Sequence, residues 1–305
     1  MSGAPLEPTE RTRAAARSAL YGIAAAEQWR LGADRVAAGA SLLLDLVVRV
    51  AQPGVTNPGR TVAQLDRVVR SADRDDPFFG DEVAEHVLRA SGLAPWSPAA
   101  EPAASESDLA PFLAIPVALH WHHHPVRALE LVRGAIATTH PDADVIDASV
   151  VLAAGLIACC RGDDALAVAR RRTGQADMAE RLADVATLRA RGAPPRYLME
   201  FFDRSGRAVD SVPIALYVAT TTRTVEEALE ALEDLGVPES AVCALASALV
   251  AAGHPFLALP CELDLSLGHD VGRQLEQAAS CLLAVPQGQT ADRGRDVGHD
   301  ARHRG

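Results

Sequence analysis

The sequence predicts an all-α fold, on three observations. Apolar residues make up 49% of the 305, yet aromatics only 4%. Ala, Leu and Val must therefore fill the core, and such side chains favour helix-on-helix packing over a sheet. Apolar positions recur at helical spacing, as in Val62, Leu65, Val68 and Val69, while strand-like alternation is hard to find. The length suits one large domain or two small ones with a core of good size. The pattern reads as a single domain over 1–285. The stretch after Pro286, QGQTADRGRDVGHDARHRG, has no apolar period, so 286–305 is expected to be a disordered tail. No repeat of 20–50 residues is evident.

In chain order, Pro8-Thr9-Glu10 starts an Ala-rich helix that runs to about Ala33. Ser41 to Gln52 reads as a second, apolar helix ended by Pro53-Gly54, Thr61 caps a third, and Asp81 to Ala90 makes a fourth. LAPWSPAAEPAASES then reads as a surface loop. Helices are expected over 108–121, 126–137, 142–161, 163–172 and 176–190, where Gly192-Ala193-Pro194-Pro195 breaks the pattern. Ser211 to Tyr217, Val225 to Leu235 and Glu239 to Ala252 read as the last core helices. Thr224 caps the second of these, with Glu226 and Glu227 well placed in its first turn. Gly268-His269-Asp270-Val271-Gly272 reads as a turn.

Charge and cysteine usage narrow the function classes. A formal net charge of −11 argues against nucleic acid or an anionic membrane as the main partner. The Arg170-Arg171-Arg172 run lies among Asp163, Asp164, Asp177 and Glu180 and reads as a solvated helix face. Cys159 and Cys160 are adjacent and Cys243, Cys261 and Cys281 stand alone, a spacing that indicates neither zinc nor a disulfide frame. MSGAPLEPTERTR lacks the apolar core of a signal peptide, and no uninterrupted apolar run is long enough to span a bilayer. The expectation is a cytoplasmic protein of a reducing compartment.

Two histidine motifs stand out. In HWHHHP, His120 and His124 would share a face on a continuing helix, as zinc ligands can. Three histidines before Pro125 more simply mark an exposed helix end, where imidazolium sits well against the last carbonyls. In THPDAD, Asp142 is expected to cap a helix, and His140 beside it is a candidate base. GxSxG, Walker A and GxGxxG motifs are all absent.

ALYGIAAAEQW (19–29), TTHPDADVIDASVVLAAGLIA (138–158), VDSVPIALYVATTTRTVEEALEALEDLG (209–236) and LGVPESAVCALASALVAAGHP (235–255) together resemble the ADP-ribosylglycohydrolase family, most clearly over 14–252. The resemblance implies a compact many-helix domain. In that family two divalent cations, usually magnesium, are held by Asp carboxylates and Thr hydroxyls, the oxygen donors that hard cations require. The ligands come from a TDDT-like turn and an LGGDTDT turn.

This chain departs at both turns. Pro238 and Ser240 stand where the second turn has its Asp residues, and Glu239 and Ala241 where it has Thr. Ala37, Ala38, Gly39 and Ala40 stand over the first turn. Glu27 replaces the Asp of the opening helix, and Asp108-Leu109 replaces an Asn-Gly pair. The resemblance thus implies a degenerate member without its metal or any other cofactor, serving as a binding, regulatory or assembly partner. Its ligand would be ADP-ribose or a nucleoside-type molecule, or else a protein. The alternative is a metal-independent hydrolase or lyase acting on an ADP-ribosyl, nucleoside or ribosyl substrate. Its candidate catalytic groups are Glu27 and Glu239, paired carboxylates that could act as acid and base, together with His140.

Overall fold

The computed structural model describes residues 8–31, 60, 63, 109–140, 142–202, 207–237, 240–255, 257 and 268–283. The helices expected over 41–52, 61–69 and 81–90, the loop over 93–107 and the tail over 286–305 lie outside these or nearly so. Among the described residues the structure is helical, with no strand. The helices are α1 (Pro8–Leu31), α2 (Leu109–His120), α3 (Pro125–Thr139), α4 (Ala143–Arg161), α5 (Ala165–Arg170) and α6 (Ala176–Ala190). A 3-10 helix η1 (Pro195–Glu200) precedes α7 (Ala208–Thr221), α8 (Val225–Asp234), α9 (Ser240–Gly253) and α10 (Gly268–Leu283).

α4 is the central helix. Its residues from Val145 to Cys160 are buried except Ile146, against α1, α2, α3, α5, α7 and α9. By length and composition α4 could cross a membrane, but 83% of its most apolar window is buried within the protein. Burial on all sides is what a helix that is hydrophobic all round requires. Gly155 sits where three helices meet. A Cβ there would lie 2.7 Å from Leu216 Cδ2 and 3.7 Å from Leu249 Cδ2.

Side-chain register fixes the helix directions. Gly155 of α4 faces Leu249 of α9, and Cys159 lies beside Gly253, so these two helices run the same way. Asp144 senses Arg207, at the start of α7, and Asp177, at the start of α6. Arg181 pairs with Asp210, and the Tyr217 hydroxyl donates to the Ala193 carbonyl. α4, α6, α7 and α9 are therefore co-directional. They start at Ala143, Ala176, Ala208 and Ser240, a spacing of about 32 residues that no sequence repeat announces.

α1 runs against α9. Arg11 Nη2 donates to Gly253 O at 3.1 Å and Ser18 Oγ to Pro255 O at 3.0 Å. At Gly22 the backbones are so close that a Cβ would sit 2.6 Å from Ser247 O and 2.8 Å from Ala251 Cβ. Only glycine allows this approach. The C-terminus of α1 thus shares one end of the stack with the N-termini of α4, α6, α7 and α9. The α2–α3 turn lies at the other end, where His123 senses Arg13 of α1.

Several expected boundaries shift. α7 begins at Ala208 rather than Ser211, because Arg207 takes the cap position and Asp210 lies inside the first turn. The stretch expected as helix over 163–172 is α5, capped by the Asp164 side chain on Ala167 N at 3.1 Å. Gly268 to Gly272 is no turn but the start of α10. Leu275, Ala278, Ala279 and Leu282 are buried at i, i+3, i+4 and i+7, and that apolar face outweighs the helix penalty of two glycines.

Candidate functional site

The end formed by the starts of α4, α6, α7 and α9 collects acidic side chains. Backbone N–H groups at a helix start are unpaired within the helix and carry partial positive charge, so carboxylates are stabilised there. Asp142 caps α4 as expected, its Oδ1 accepting from Asp144 N at 2.8 Å and Val145 N at 3.2 Å. His140, two residues before it, is buried, and its backbone N–H closes α3 by donating to Ile136 O at 2.8 Å.

Two buried acids at this end were not singled out from the sequence. Asp147, on the second turn of α4, accepts from Thr173 Oγ1 at 2.6 Å, Gly174 N at 2.8 Å and Gln175 N at 3.3 Å. It thereby fastens the connection into α6. Asp210, 1% exposed, pairs with Arg181 across from α6. The same guanidinium donates to Phe201 O and lies 5.6 Å above the Phe202 ring. Asp144 differs from both. Burial, followed by repulsion from Asp142, Asp177 and Asp147, holds its carboxyl above the ordinary carboxylate range against the opposing pull of Arg207.

The second ligand turn of the resemblance falls at the start of α9. Val237 and Ala241 flank it, and both are buried. Ser240 is the first residue of the helix. Pro238 and Glu239 lie outside the described residues, as do Ala37, Ala38, Gly39 and Ala40. Glu27 lies in the last turns of α1, which the antiparallel register with α9, at 1.5 Å per residue, carries alongside the first turn of that helix. Its side chain is outside the described structure.

The histidine motif is placed differently from expectation. α2 stops at His120, and Trp121 to His124 form a turn closed by His124 N donating to Trp121 O at 2.8 Å. His120 and His124 therefore do not share a continuing helix. Nor is the whole run exposed: His120 and His122 are buried, at 7% and 1%, while His123 and His124 face solvent. Burial lowers both buried imidazoles to about 4, so neither is the imidazolium expected at this helix end. Among the described residues no group of three or more His, Cys, Asp or Glu side chains is arranged to hold a metal. Cys159, Cys160 and Cys243 are buried thiols outside any disulfide, and burial raises Cys159 to about 12 and Cys160 further.

Fold and site together define an all-helical domain whose polar end is built on co-directional helix N-termini. The family model for ADP-ribosylglycohydrolase matches residues 3–292, nearly the whole chain, and the chain belongs to that family. A solved structure described as an ADP-ribosylglycohydrolase-related protein complex is similar with a TM-score of 0.61 and 19% identity. The match covers 91% of this chain and 99% of that one, and at such identity it is a likeness of fold. Comparison with curated proteins gave no match.

Proposed function

We propose that this chain is a degenerate ADP-ribosylglycohydrolase-like protein that has given up the two-metal site and works as a binding, regulatory or assembly partner. The observation that carries the reading is the start of α9. Ala241, 5% exposed, offers a methyl group where the resemblance has a threonine hydroxyl. Pro238 and Ser240 stand where it has carboxylates.

The described acids at this end form no group arranged to hold a metal. Asp142 is taken by the α4 N–H groups, Asp147 by residues 173–175 and Asp210 by Arg181. Two divalent cations without several carboxylates would be left undercompensated, at a cost of at least several kcal/mol per ion. The described residues do not fit a two-magnesium centre. On this reading the protein is cytoplasmic and takes an ADP-ribose or nucleoside-type ligand or a protein partner.

The test is an assay on ADP-ribosylated protein and on small ADP-ribosyl compounds. Magnesium-dependent turnover that stops with chelator would sink the proposal. Thermal shifts with ADP-ribose, NAD and adenosine nucleotides, with and without magnesium, probe the ligand. A binder at a hundred times its Kd stabilises by about 2.7 kcal/mol, and the shift should not depend on the metal.

Asp144 favours a second reading, a metal-independent hydrolase or lyase on a ribosyl substrate. A carboxyl kept protonated toward higher pH is suited to general acid work. That reading predicts an activity that survives chelation and is abolished by Asp144→Asn. An activity unchanged by that substitution would reject Asp144 as the acid.

A further inference from the structure

We propose that the α2–α3 turn, His120 to His124, is an acid-sensitive hinge: proton uptake by the buried imidazoles of His120 and His122 expels the turn from the core and frees this corner of the stack.

The geometry makes these rings poor hosts for a proton. His122 Nδ1 lies 2.5 Å from the Leu119 carbonyl oxygen, so Nδ1 carries the hydrogen and Nε2 is the bare nitrogen. That Nε2 is buried without a hydrogen-bond partner among the described residues, as are His120 Nδ1 and Trp121 Nε1. A proton arriving on His122 Nε2 or His120 Nδ1 would place a buried N–H opposite no acceptor among the described residues, and opening the turn to water removes that cost.

Among the described residues, the surrounding elements supply no compensating anion. The groups that act on these rings are the rings themselves, His123 and His124, with Arg13 of α1 acting on His123, and all of them become or remain cationic in acid. On α3, Glu130 pairs with Arg127, and beyond the end of α4 Asp163 pairs with Arg161. Glu276 of α10 is held by Arg17 and Tyr21. Past the end of α9, His254 senses Arg223, Arg11 and Glu227. A histidine lowered in the fold contributes stability that is complete above its unfolded value of about 6.5. That contribution is lost as pH falls from there toward the folded value.

Trp121, 2% exposed and edge-on to His120 at 5.5 Å, is a built-in reporter. The full chain carrying Trp29→Phe and Trp96→Phe would be titrated from pH 7 to 3.5 by fluorescence and far-UV circular dichroism. Red-shifted Trp121 emission is expected at higher pH than loss of helix. Adding His120→Gln and His122→Gln should move that emission change down by about one pH unit or more. Failure of either expectation overturns the hinge. Should the combined variant not fold, imidazole NMR titration of the wild-type chain decides. Both rings remaining neutral at pH 5.5 while the fold persists supports the hinge, and either ring titrating at or above pH 6 in the folded chain overturns it.

Discussion

The two ends of the helix stack bury ionisable groups by opposite means. At the end built on the starts of α4, α6, α7 and α9, carboxylates are met by backbone N–H groups or an arginine. Asp142, Asp147 and Asp210 are all held this way. At the other end His120 and His122 are buried by giving up charge, with one nitrogen of each ring unpartnered among the described residues. The difference follows from polarity. A helix start offers donors that suit an anion, whereas a buried neutral imidazole is tolerated only while it stays neutral.

Substitutions sharpen this contrast. The largest effect is expected from Asp210→Ala, which leaves Arg181 without its partner in a largely buried position. A loss of about 3 kcal/mol should appear as a lower urea midpoint at unchanged slope. Asp147→Ala strands two backbone N–H groups and leaves the Thr173 hydroxyl only the Gln175 carbonyl at 3.2 Å, for about 2–3 kcal/mol. Faster hydrogen exchange should then appear at Gly174 and Gln175. Asp142→Ala removes a helix cap worth about 1 kcal/mol, and Asp142→Asn should recover most of that by thermal unfolding. If all three cost nothing, the picture of charge held by helix starts fails.

The smallest effect belongs to neither end. Glu276 of α10 accepts from Tyr21 Oη at 2.5 Å and Arg17 Nε at 3.0 Å, and these hydrogen bonds lower its carboxyl even against burial. The stability this carboxylate adds is present above its unfolded pKa and is lost as pH falls through the depressed folded value. Burial and the Glu276 contact raise Tyr21 to about 12, so its share is present below pH 10 and lost above it. Because Arg17 and Glu276 are half exposed, Glu276→Gln should cost less than about 1 kcal/mol at neutral pH. The substitution should also flatten the acid limb of the stability profile.

Much of the helical frame was legible because caps and periods are local. Pro8, Asp142 and Thr224 each open a helix where the residue types say they should, and Thr224 with Glu227 forms the capping box. α10 was not legible, since Gly268 and Gly272 mimic a turn and its narrow apolar face has meaning only against α1 and α2. The helix expected from Ser211 starts at Ala208, with Arg207 at the cap position. The site was less legible still. Asp147 in an apolar helix gives no sign that it will hold residues 173–175, and the Arg181–Asp210 pair depends on a register between α6 and α7 that no local pattern encodes. Tandem histidines suggest an exposed helix end, and only the packing around Trp121 shows that two of them are inside.

The antiparallel contact of α1 with α9 bears on the order of assembly. Arg11 and Gly253 are 242 residues apart, and the close approach at Gly22 needs the same distant partner. On a ribosome, α1 emerges before the other described helices and would hold a nearly continuous stripe of buried alanines without its mate until α9 had been made. Contacts of such separation form late, after the intervening helices have shortened the loop between them. In refolding followed by pulsed hydrogen exchange, protection in α1 should lag that in α3 and α4, and a Gly22→Ala substitution should speed unfolding far more than it slows folding.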